Sequence, residues 1–293
     1  MRGVIARTWA AAAALLLLCE GSVVAAPVIV IDAGHGGSNL GAFAPALGRH
    51  EKGLALELAL ATAQALRRRL PAARVLLTRQ RDEYLTLEQR VRLANRARAA
   101  AFVSLHFNAS PTRSESGFEC YVVSAEASDR EAALMAAREH DAVSNAPGAG
   151  AAGGEVAAIL HDLGQRAQRT DAWQLAQTLR HALARARPAA QDRGVRPASF
   201  DVLLGLRMPG VLVELGFLDH PLEGPELGRP TTRQALAEAL ASALATHLGG
   251  ARLVSPTPRP APTPRPAPTP RPAPTPLSPT STPTPAQARH RPG

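Results

Sequence analysis

The sequence predicts an α/β fold: a single domain with a mostly parallel central sheet flanked by helices, and with a helical insertion. Apolar runs of strand length, rich in β-branched residues, recur at residues 28–31, 101–109 and 211–218. Between them, apolar residues repeat with the period of a helix. Strands that alternate with helices favour parallel pairing, because each helix carries the chain back to the edge where the strands start.

The N-terminal residues 1–26 have the pattern of a secretory signal peptide. Arg2 and Arg7 precede an apolar run over residues 9–18, and small residues follow at positions 24–26. The apolar run is too short to span a membrane. We therefore expect an exported protein with no membrane span in the mature chain.

The C-terminal residues 251–293 form a Pro-rich tail that contains three copies of the hexapeptide Pro-Thr-Pro-Arg-Pro-Ala. Such a tract cannot sustain a helix or a sheet, so we expect a disordered, extended spacer. Whether this tail also binds a partner stays open. The residues between the two ends, 27–250, are enough for one domain with its own core.

The formal net charge of +9 comes mostly from the two ends of the chain. Five arginines within residues 255–293 and a surplus of one basic residue in the signal peptide leave +3 for the residues between them. This small charge, with only 3% aromatic residues for base stacking, indicates no nucleic-acid partner. Cys120 is the one cysteine after the signal peptide, so no internal disulfide is expected.

His35 follows the first predicted strand and has glycines on both sides. These glycines let the main chain turn sharply and leave the imidazole uncrowded. In α/β sheets, binding sites form at the carboxyl ends of strands. His35 therefore stands where a ligand or catalytic group would stand, although a glycine-rich turn with an incidental histidine explains this stretch alone equally well.

The next predicted element is a helix that starts beside Glu51 and ends near Leu70, before Pro71. Glu51 thus lies at a helix N-terminus, near the loop that leaves His35. The helix dipole favours a carboxylate at this position. A first-turn acid without further function is therefore the alternative interpretation.

His106 lies near the carboxyl end of the strand predicted at residues 101–109. Alternation places Ser104, His106 and Asn108 on one face of the sheet. On its own, a histidine in this position would more often be a core residue than a metal ligand.

Glu214 interrupts the apolar strand predicted at residues 211–218 and shares a face with Leu212. A carboxylate in such a run is costly unless it is ionised beside a partner or has a function. The alternative is an edge-strand glutamate that points to water.

The remaining elements follow from the same periodicities and from two capping boxes, Thr86 with Gln89 and Thr231 with Gln234. They are strands at residues 74–79 and 118–124, a short apolar stretch at 201–204, and helices at 86–99, 155–170, 171–187 and 231–250.

Two histidines and one glutamate at strand ends or in loops form a His₂Glu set, which is a known catalytic zinc arrangement with a fourth position for water. A second glutamate can then act as the base. The order His35, Glu51, His106, Glu214 resembles the zinc-dependent N-acetylmuramoyl-L-alanine amidases of bacterial cell walls, the amidase type 3 family. The resemblance covers residues 28–248 and rests on four motifs in the family's order: IDAGHGG at 31–37, EK at 51–52, SLHFNA at 104–109 and VLVELGFL at 211–218.

The resemblance implies that His35, Glu51 and His106 bind zinc, the expected cofactor, and that Glu214 is the catalytic carboxylate. The implied reaction is hydrolysis of the amide bond between the lactyl group of N-acetylmuramic acid and L-alanine of the stem peptide. Peptidoglycan is then the partner, in cell-wall remodelling or daughter-cell separation. The export signal would place such an enzyme in the periplasm or cell envelope.

Two other functions remain open at this point. A zinc carboxypeptidase acting on wall peptides uses similar ligands, but it needs an arginine for the terminal carboxylate and a different order of motifs. A non-catalytic peptidoglycan-binding module would keep the fold and lose a ligand or the catalytic glutamate. All four residues are present in this chain.

Residues 126–170 resemble the segment that covers the zinc site in the division amidases of this family, although their Gly- and Ala-rich centre is atypical. The hypothesis is a regulatory helical insertion, in which an acid fills the open zinc position until a protein activator displaces it. Glu139, Asp141 and Glu155 are the candidate acids. Helices that merely pad the sheet are the alternative.

Overall fold

The structure, a computed structural model, describes residues 26–124, 132–135 and 155–251, with the main chain alone at residues 155–167, 250 and 251. The predicted signal peptide and tail lie outside these ranges except for Ala26 and Ala251. Most of the predicted insertion also lies outside them. This part includes Glu139 and Asp141, and the side chain of Glu155 is not described either.

Besides four helical residues at 132–135, the described residues form eight strands, five helices and one 3₁₀ turn at Asp201–Leu203. The strands are β1 (Val28–Ala33), β2 (Phe43–Ala44), β3 (Arg49–His50), β4 (Arg74–Leu77), β5 (Ala101–Asn108), β6 (Phe118–Val123), β7 (Asp192–Ala198) and β8 (Gly210–Phe217). The helices are α1 (Glu51–Arg69), α2 (Leu87–Arg96), α3 (Glu155–Ala186), α4 (Glu223–Leu227) and α5 (Pro230–Ala251). None of these helices combines the length and hydropathy needed to cross a membrane.

Six of the described strands form one sheet in the order β4-β1-β5-β8-β6-β7. All neighbouring strands in it are parallel except β6 and β8. The predicted mostly parallel sheet is therefore confirmed. The parallel arrangement brings the carboxyl ends of β1, β5 and β8 to one edge, and the reversed direction of β6 brings its start to that same edge.

Helices flank the sheet on both faces, as the sequence predicts. On one face, apolar side chains of α1, α3 and α5 pack against alternate residues of the strands, among them Val103, Leu105 and Val213. On the other face, Phe102, Tyr121 and Leu212 pack with residues of the segment after β7 and with Ala132 and Met135. The alternation of β5 also places Ser104, His106 and Asn108 on this second face.

The predicted break between helices at residues 155–170 and 171–187 is wrong. The structure has one continuous helix, α3, over this stretch. No glycine or proline stands at the predicted junction of Thr170 and Asp171 to stop a helix. Beyond the junction, Leu175 and Leu179 are buried in the core. This packing stabilises the helix more than the weak local preference of Thr and Asp opposes it.

Strand β7 has no counterpart in the sequence-based prediction. Its sequence, DRGVRPA, contains Gly194 and Pro197, which are both unfavourable in the interior of a sheet. Pro197 is tolerated because β7 is the edge strand and has a single neighbour, β6. An edge strand needs few apolar side chains, so the alternation that reveals the other strands is missing here.

The closing helix begins at Pro230, so Thr231 lies inside the helix and the capping box predicted at Thr231 and Gln234 is wrong. Proline is favoured in the first position of a helix, where the N–H that it lacks would have no helical acceptor. The helix also continues past Gly249 to Ala251. The capping box predicted at Thr86 and Gln89 is present, and it opens α2.

A buried polar network fixes the main chain where it leaves β1. The carboxylate of Asp32 accepts hydrogen bonds from Thr78 Oγ1 at 2.5 Å, Ser104 Oγ at 2.6 Å and Arg90 Nη1 at 2.6 Å. Burial alone would raise the pKa of Asp32, but the charge of Arg90 and the hydroxyl donors outweigh it and hold that pKa below its usual range. Asp32 is therefore an ionised group inside the domain.

Two guanidinium groups bind the carbonyl oxygens that follow Asp32. Arg90 donates to the carbonyls of Ala33 at 2.7 Å and His35 at 2.6 Å. Arg79 donates to those of Ala33 at 3.0 Å and Gly34 at 2.6 Å. Three successive carbonyls, which have no strand partner beyond the end of β1, are thereby satisfied by charged donors.

We predict that Arg90→Met lowers the free energy of unfolding by about 3–5 kcal/mol, because it leaves the Asp32 carboxylate buried without its guanidinium. Urea denaturation followed by circular dichroism measures the change. Arg92→Met on the same helix is the control, since Arg92 pairs with Glu88 on the surface and such pairs contribute at most about 1 kcal/mol. Equal losses in the two variants would contradict the prediction.

Candidate metal centre

Three buried side chains from three different elements meet at the carboxyl edge of the sheet. His35 lies in the loop after β1, Glu51 is the first residue of α1, and His106 lies near the end of β5. The three are between 1% and 5% exposed. Their potential ligand atoms all lie within 4.8 Å of one another, so the cluster could hold a metal ion. The structure thus brings together the residues that the sequence singled out separately.

The spacing of the three groups suits one small cation. His35 Nε2 lies 2.9 Å from Glu51 Oε2, His106 Nδ1 lies 3.2 Å from Glu51 Oε1, and the two imidazole nitrogens lie 3.2 Å apart. Tetrahedral ligands at the roughly 2.0–2.1 Å typical of zinc stand about 3.3 Å from one another. Two imidazoles and one carboxylate are also a donor set that zinc favours.

Glu51 is held as an ionised carboxylate by its surroundings. Its two oxygens accept N–H groups of the main chain, Oε1 from Phe107 at 2.8 Å and Oε2 from Ala42 at 2.9 Å. Burial opposes the charge, but the neighbouring imidazoles of His35 and His106 outweigh burial and push the pKa of Glu51 far below its usual range. The carboxylate is therefore preorganised as an anionic ligand.

His35 is oriented by its own loop. Its φ angle is 58°, in the left-handed region that few residues with a side chain adopt. Its Nδ1 lies 2.9 Å from Asn39 Oδ1. Because the amide oxygen accepts a hydrogen bond, Nδ1 carries a proton, and Nε2 is the nitrogen that faces Glu51 and His106 and could bind a metal ion. Asn39 was not identified from the sequence, since nothing in its local pattern marks it as a partner of His35.

Two glycines leave the space that the side chains of the cluster occupy. A Cβ atom on Gly34 would lie 2.5 Å from Cε1 of His106, and one on Gly41 would lie 2.6 Å from both Glu51 Oε2 and His35 Cδ2. Any other residue at either position would push the imidazoles or the carboxylate out of place. Gly34 is one of the glycines that flank His35 in its motif. Nothing in the local sequence around Gly41 predicts that it contacts the site.

The sole lysine, Lys52, binds the loop that carries His35. Its Nζ donates to the carbonyl of Gly37 at 2.8 Å and contacts Asp82 Oδ2 at 2.7 Å. The other oxygen of Asp82 accepts the N–H of Gly37 at 2.7 Å. Lys52 therefore has a structural role, because its contacts hold the main chain just after His35 in place.

Glu214 faces a cavity of about 410 Å³ that also exposes two members of the cluster, His35 and Glu51. It is 3% exposed and stands directly opposite His106 in the register of β8 and β5. The interpretation of Glu214 as an edge-strand residue pointing to water is therefore wrong. The other residues that line the cavity are Asn39, Leu40, Gly41, Ala42, Phe107, Asn108, Ala109 and Met135.

A second buried glutamate was missed by the sequence analysis. Glu119 on β6 is fully buried and pairs with Glu214 across β6 and β8. The signal was the same as for Glu214, because Glu119 also interrupts an apolar strand, FECYVV. A carboxylate in such an apolar run is costly unless it has a partner or a function, at either position.

The chain has clear relatives. The family model described as N-acetylmuramoyl-L-alanine amidase matches residues 29–246. The chain is 33% identical over 215 residues to N-acetylmuramoyl-L-alanine amidase AmiC of Neisseria meningitidis serogroup B, a match that covers 72% of this chain and 50% of that protein. It is 31% identical over 209 residues to N-acetylmuramoyl-L-alanine amidase CwlM of Bacillus licheniformis, with 71% and 64% covered. It thus spans about half to two thirds of the length of these curated relatives.

A solved structure of an amidase is similar to this chain in fold. The crystal structure of N-acetylmuramoyl-L-alanine amidase from Clostridium difficile 630 is similar with a TM-score of 0.59 and 25% identity, and the match covers 77% of this chain and 98% of that one. The structural match and the family model thus each cover about three quarters of the chain. Since the family model matches well over half of the sequence, the chain belongs to the N-acetylmuramoyl-L-alanine amidase family, amidase type 3.

Proposed function

We propose that this protein hydrolyses the amide bond between the lactyl group of N-acetylmuramic acid and L-alanine of the peptidoglycan stem peptide. The observation that carries the proposal is the buried His35–Glu51–His106 cluster with Glu214 on the same cavity, in a chain of this family. Each of the four residues lies where the family's motifs lead one to expect a metal ligand or the catalytic carboxylate.

Zinc is the metal that fits the cluster best, with His35, Glu51 and His106 as its three protein ligands. The donor set supports this assignment, as does the separation of the ligand atoms, 2.9–3.2 Å. When bound, zinc would lower the pKa of a water molecule and polarise the carbonyl of the scissile amide. The protein holds the ligands in place through Asn39 and the main chain around Ala42 and Phe107.

Glu214 is the group proposed to move the proton. Its burial and its place on the cavity wall let it accept the proton of the attacking water and return it to the departing nitrogen of L-alanine. The residues that line the cavity include the apolar Leu40 and Met135. Electrostatic interactions of Glu214 with the reacting groups are strengthened because its carboxylate is largely withdrawn from bulk water, with 3% exposure.

The alternative of a zinc carboxypeptidase finds no support in the cavity. Such an enzyme needs an arginine to bind the terminal carboxylate of its peptide, and none of the described residues that line the cavity is an arginine. Analysis of the products separates the two reactions. The amidase releases intact stem peptides with a free L-alanine amine, whereas the carboxypeptidase releases shortened stems, and mass spectrometry of digested sacculi distinguishes them.

Peptidoglycan lies outside the cytoplasmic membrane, so the proposed activity requires export. The signal-peptide pattern at residues 1–26 supports this, and we place the protein in the periplasm or cell envelope. The proposed cellular role is wall remodelling or daughter-cell separation, which rests on the likeness to relatives named as amidases.

The insertion is proposed to regulate this site. Met135, which belongs to the predicted insertion, lines the cavity beside Glu214, and Ala132 is fully buried in the core of the same face. A segment that occupies the cavity would hinder substrate binding, and a protein activator that displaced it would shift the population towards an open state. The acids proposed to cap the metal remain Glu139, Asp141 and Glu155.

We predict that His35→Ala and His106→Ala each abolish both zinc binding and activity, because each removes one of three protein ligands. Metal analysis of the purified variants and digestion of sacculi measure the two properties. His181→Ala is the control, since His181 is exposed on α3. Stoichiometric zinc in either ligand variant would refute the assignment.

Glu214→Gln is expected to keep the fold and the zinc but to lose about 10²–10⁴-fold in kcat, because an amide cannot accept the proton of water. Turnover of soluble muropeptides, measured beside zinc content, tests this expectation. The control is Glu88→Gln, whose side chain is exposed on α2. Substantial activity of Glu214→Gln would show that the base lies elsewhere.

Replacing residues 130–154 by a short Gly/Ser linker should raise activity on sacculi in the absence of any partner, because it removes Met135 from the cavity. The replaced variant is first checked for folding and zinc content. Leu134→Ala is the control within the segment, because the Leu134 side chain is half exposed and does not line the cavity. Unchanged activity of a folded, zinc-loaded linker variant would end the regulatory hypothesis.

A further inference from the structure

Four exposed arginines lie along the edge of the sheet that is remote from the metal cluster. Arg74 opens β4, Arg96 ends α2, Arg98 lies in the turn before β5, and Arg207 lies in the loop before β8. Because β4, β5 and β8 all run parallel to β1 and end at the metal edge, these arginines stand where the strands begin. We call the side of the domain that these four residues occupy the basic edge.

Hydrogen bonds between neighbouring elements hold these residues along one side of the domain. The N–H of Arg74 donates to the carbonyl of Pro27 at 2.9 Å, just before β1. Asn95, in the last turn of α2, joins α2 to the loop before β8: its Oδ1 accepts the N–H of Arg207 at 2.9 Å, and its Nδ2 donates to the carbonyl of Gly205 at 2.9 Å. Neighbouring strands lie about 4.8 Å apart, so the row from β4 through β1 and β5 to β8 spans about 14 Å.

Counter-charges are scarce at the basic edge. Within the part of the chain that the structure describes, none of the four guanidinium groups forms a hydrogen bond or an ion pair. At the end of α1, Arg68 and Arg69 share one carboxylate, that of Glu238. Asp171 adds a second carboxylate near this side, because it follows by one turn Gln168, whose side chain donates to the loop before β8. The arginines outnumber these acids, so the potential at the basic edge is positive and attracts an anionic partner.

An exposed leucine stands beside the row of arginines. Leu204 is 46% exposed, and it precedes Gly205, whose carbonyl is bound by the side chain of Asn95, next to Arg96. A soluble polyanion offers only charge to such a surface, whereas a bilayer offers phosphate groups with an apolar layer beneath them. Cationic side chains next to an exposed apolar one are typical of protein surfaces that lie on a lipid interface. Leu204 therefore favours a membrane surface over a soluble polyanion.

The end of α5 also lies on this side of the domain. Helix α5 runs beside α1 in the same direction, because Arg233 pairs with Glu57 within the first two turns of both helices, and Glu238 pairs with Arg68 at the end of α1. The last residue of α5 is therefore on the side of the basic edge. The sequence that follows it, residues 252–293, contains six arginines and no acid. The charge of the chain that continues from this side thus has the same sign as the edge itself.

We propose that the basic edge is a docking surface for an anionic lipid bilayer. Arg74, Arg96, Arg98 and Arg207 bind the lipid phosphates, and Leu204 enters the interface beside them. This inference stands apart from the proposed amidase activity, because it uses no residue of the metal centre. In the docked domain the metal edge faces away from the bilayer, at a distance of about 26 Å, the length of the eight residues of β5.

The experiment measures how the full-length protein partitions onto vesicles in a sedimentation assay at physiological salt. The wild type should bind vesicles of equimolar phosphatidylcholine and phosphatidylglycerol and should not bind vesicles of phosphatidylcholine alone. The edge variant combines Arg74→Gln, Arg96→Gln, Arg98→Gln and Arg207→Gln. Each arginine near an anionic surface strengthens binding about fivefold, so the edge variant should lose roughly 10²–10³-fold in its partition coefficient.

A matched control variant loses the same charge on the metal side of the domain. It combines Arg81→Gln, Arg113→Gln, Arg185→Gln and Arg229→Gln, which are all exposed. These positions lie farther from the docked bilayer than the screening length of about 8 Å, so the control should lose less than about threefold. Circular dichroism checks both variants, and substitution of exposed side chains without partners is expected to leave the fold intact.

Leu204→Ser separates a membrane from a soluble polyanion. It should weaken binding to the anionic vesicles by about 3–10-fold, because a leucine that enters the interface is removed, and it should not change binding to long-chain polyphosphate. Unchanged vesicle binding of Leu204→Ser, with wild type that binds polyphosphate as tightly per phosphate as the vesicles, would assign the edge to a soluble polyanion and overturn the proposal. Equal losses in the edge and control variants would overturn it as well. So would full binding of the edge variant, in which residues 252–293 are intact, or equal binding of wild type to neutral and anionic vesicles.

Discussion

The site depends on two buried arginines that hold the main chain just beyond the end of β1. Arg79 and Arg90 bind the carbonyls of Ala33, Gly34 and His35. The ionised carboxylate of Asp32 forms an ion pair with Arg90 and holds it in place. Without these donors, the sharp turn at the edge of the sheet would bury carbonyl groups that have no partner. The turn fixes His35, and the same loop then supplies the Ala42 N–H that holds Glu51. The cluster that could hold a metal ion is thus an extension of a structural network rather than an addition to it.

That His35, Glu51, His106 and Glu214 meet at one cavity could be predicted, because each of them stands in a local pattern that the sequence displays directly. His35 follows a strand and is flanked by glycines, Glu51 opens a helix, and His106 and Glu214 interrupt apolar strands. The same patterns gave the core strands and α1 nearly to the residue. Amphipathic periodicity and helix boundaries are local properties, which is why they can be read without knowing the fold.

The supporting residues could not be predicted, because their roles depend on contacts between distant parts of the chain. Basic residues other than Lys52 are all arginine, and nothing local separates the buried Arg79, Arg90 and Arg187 from those on the surface. Gly41 likewise owes its role to side chains that approach it in space. The edge strand β7 escaped notice for a related reason: with one neighbour and little buried surface, it needs neither alternation nor the absence of proline.

The direction of β6 has a consequence for how the insertion approaches the site. Because β6 runs opposite to β8, it starts at the metal edge of the sheet and ends at the far edge, where Val123 is its last residue. Met135, only 12 residues later in the sequence, lines the cavity beside Glu214. Two described points of the chain that are close in sequence therefore lie at opposite edges of the sheet. A molecule that contacted the domain beside Val123 would leave the mouth of the cavity free.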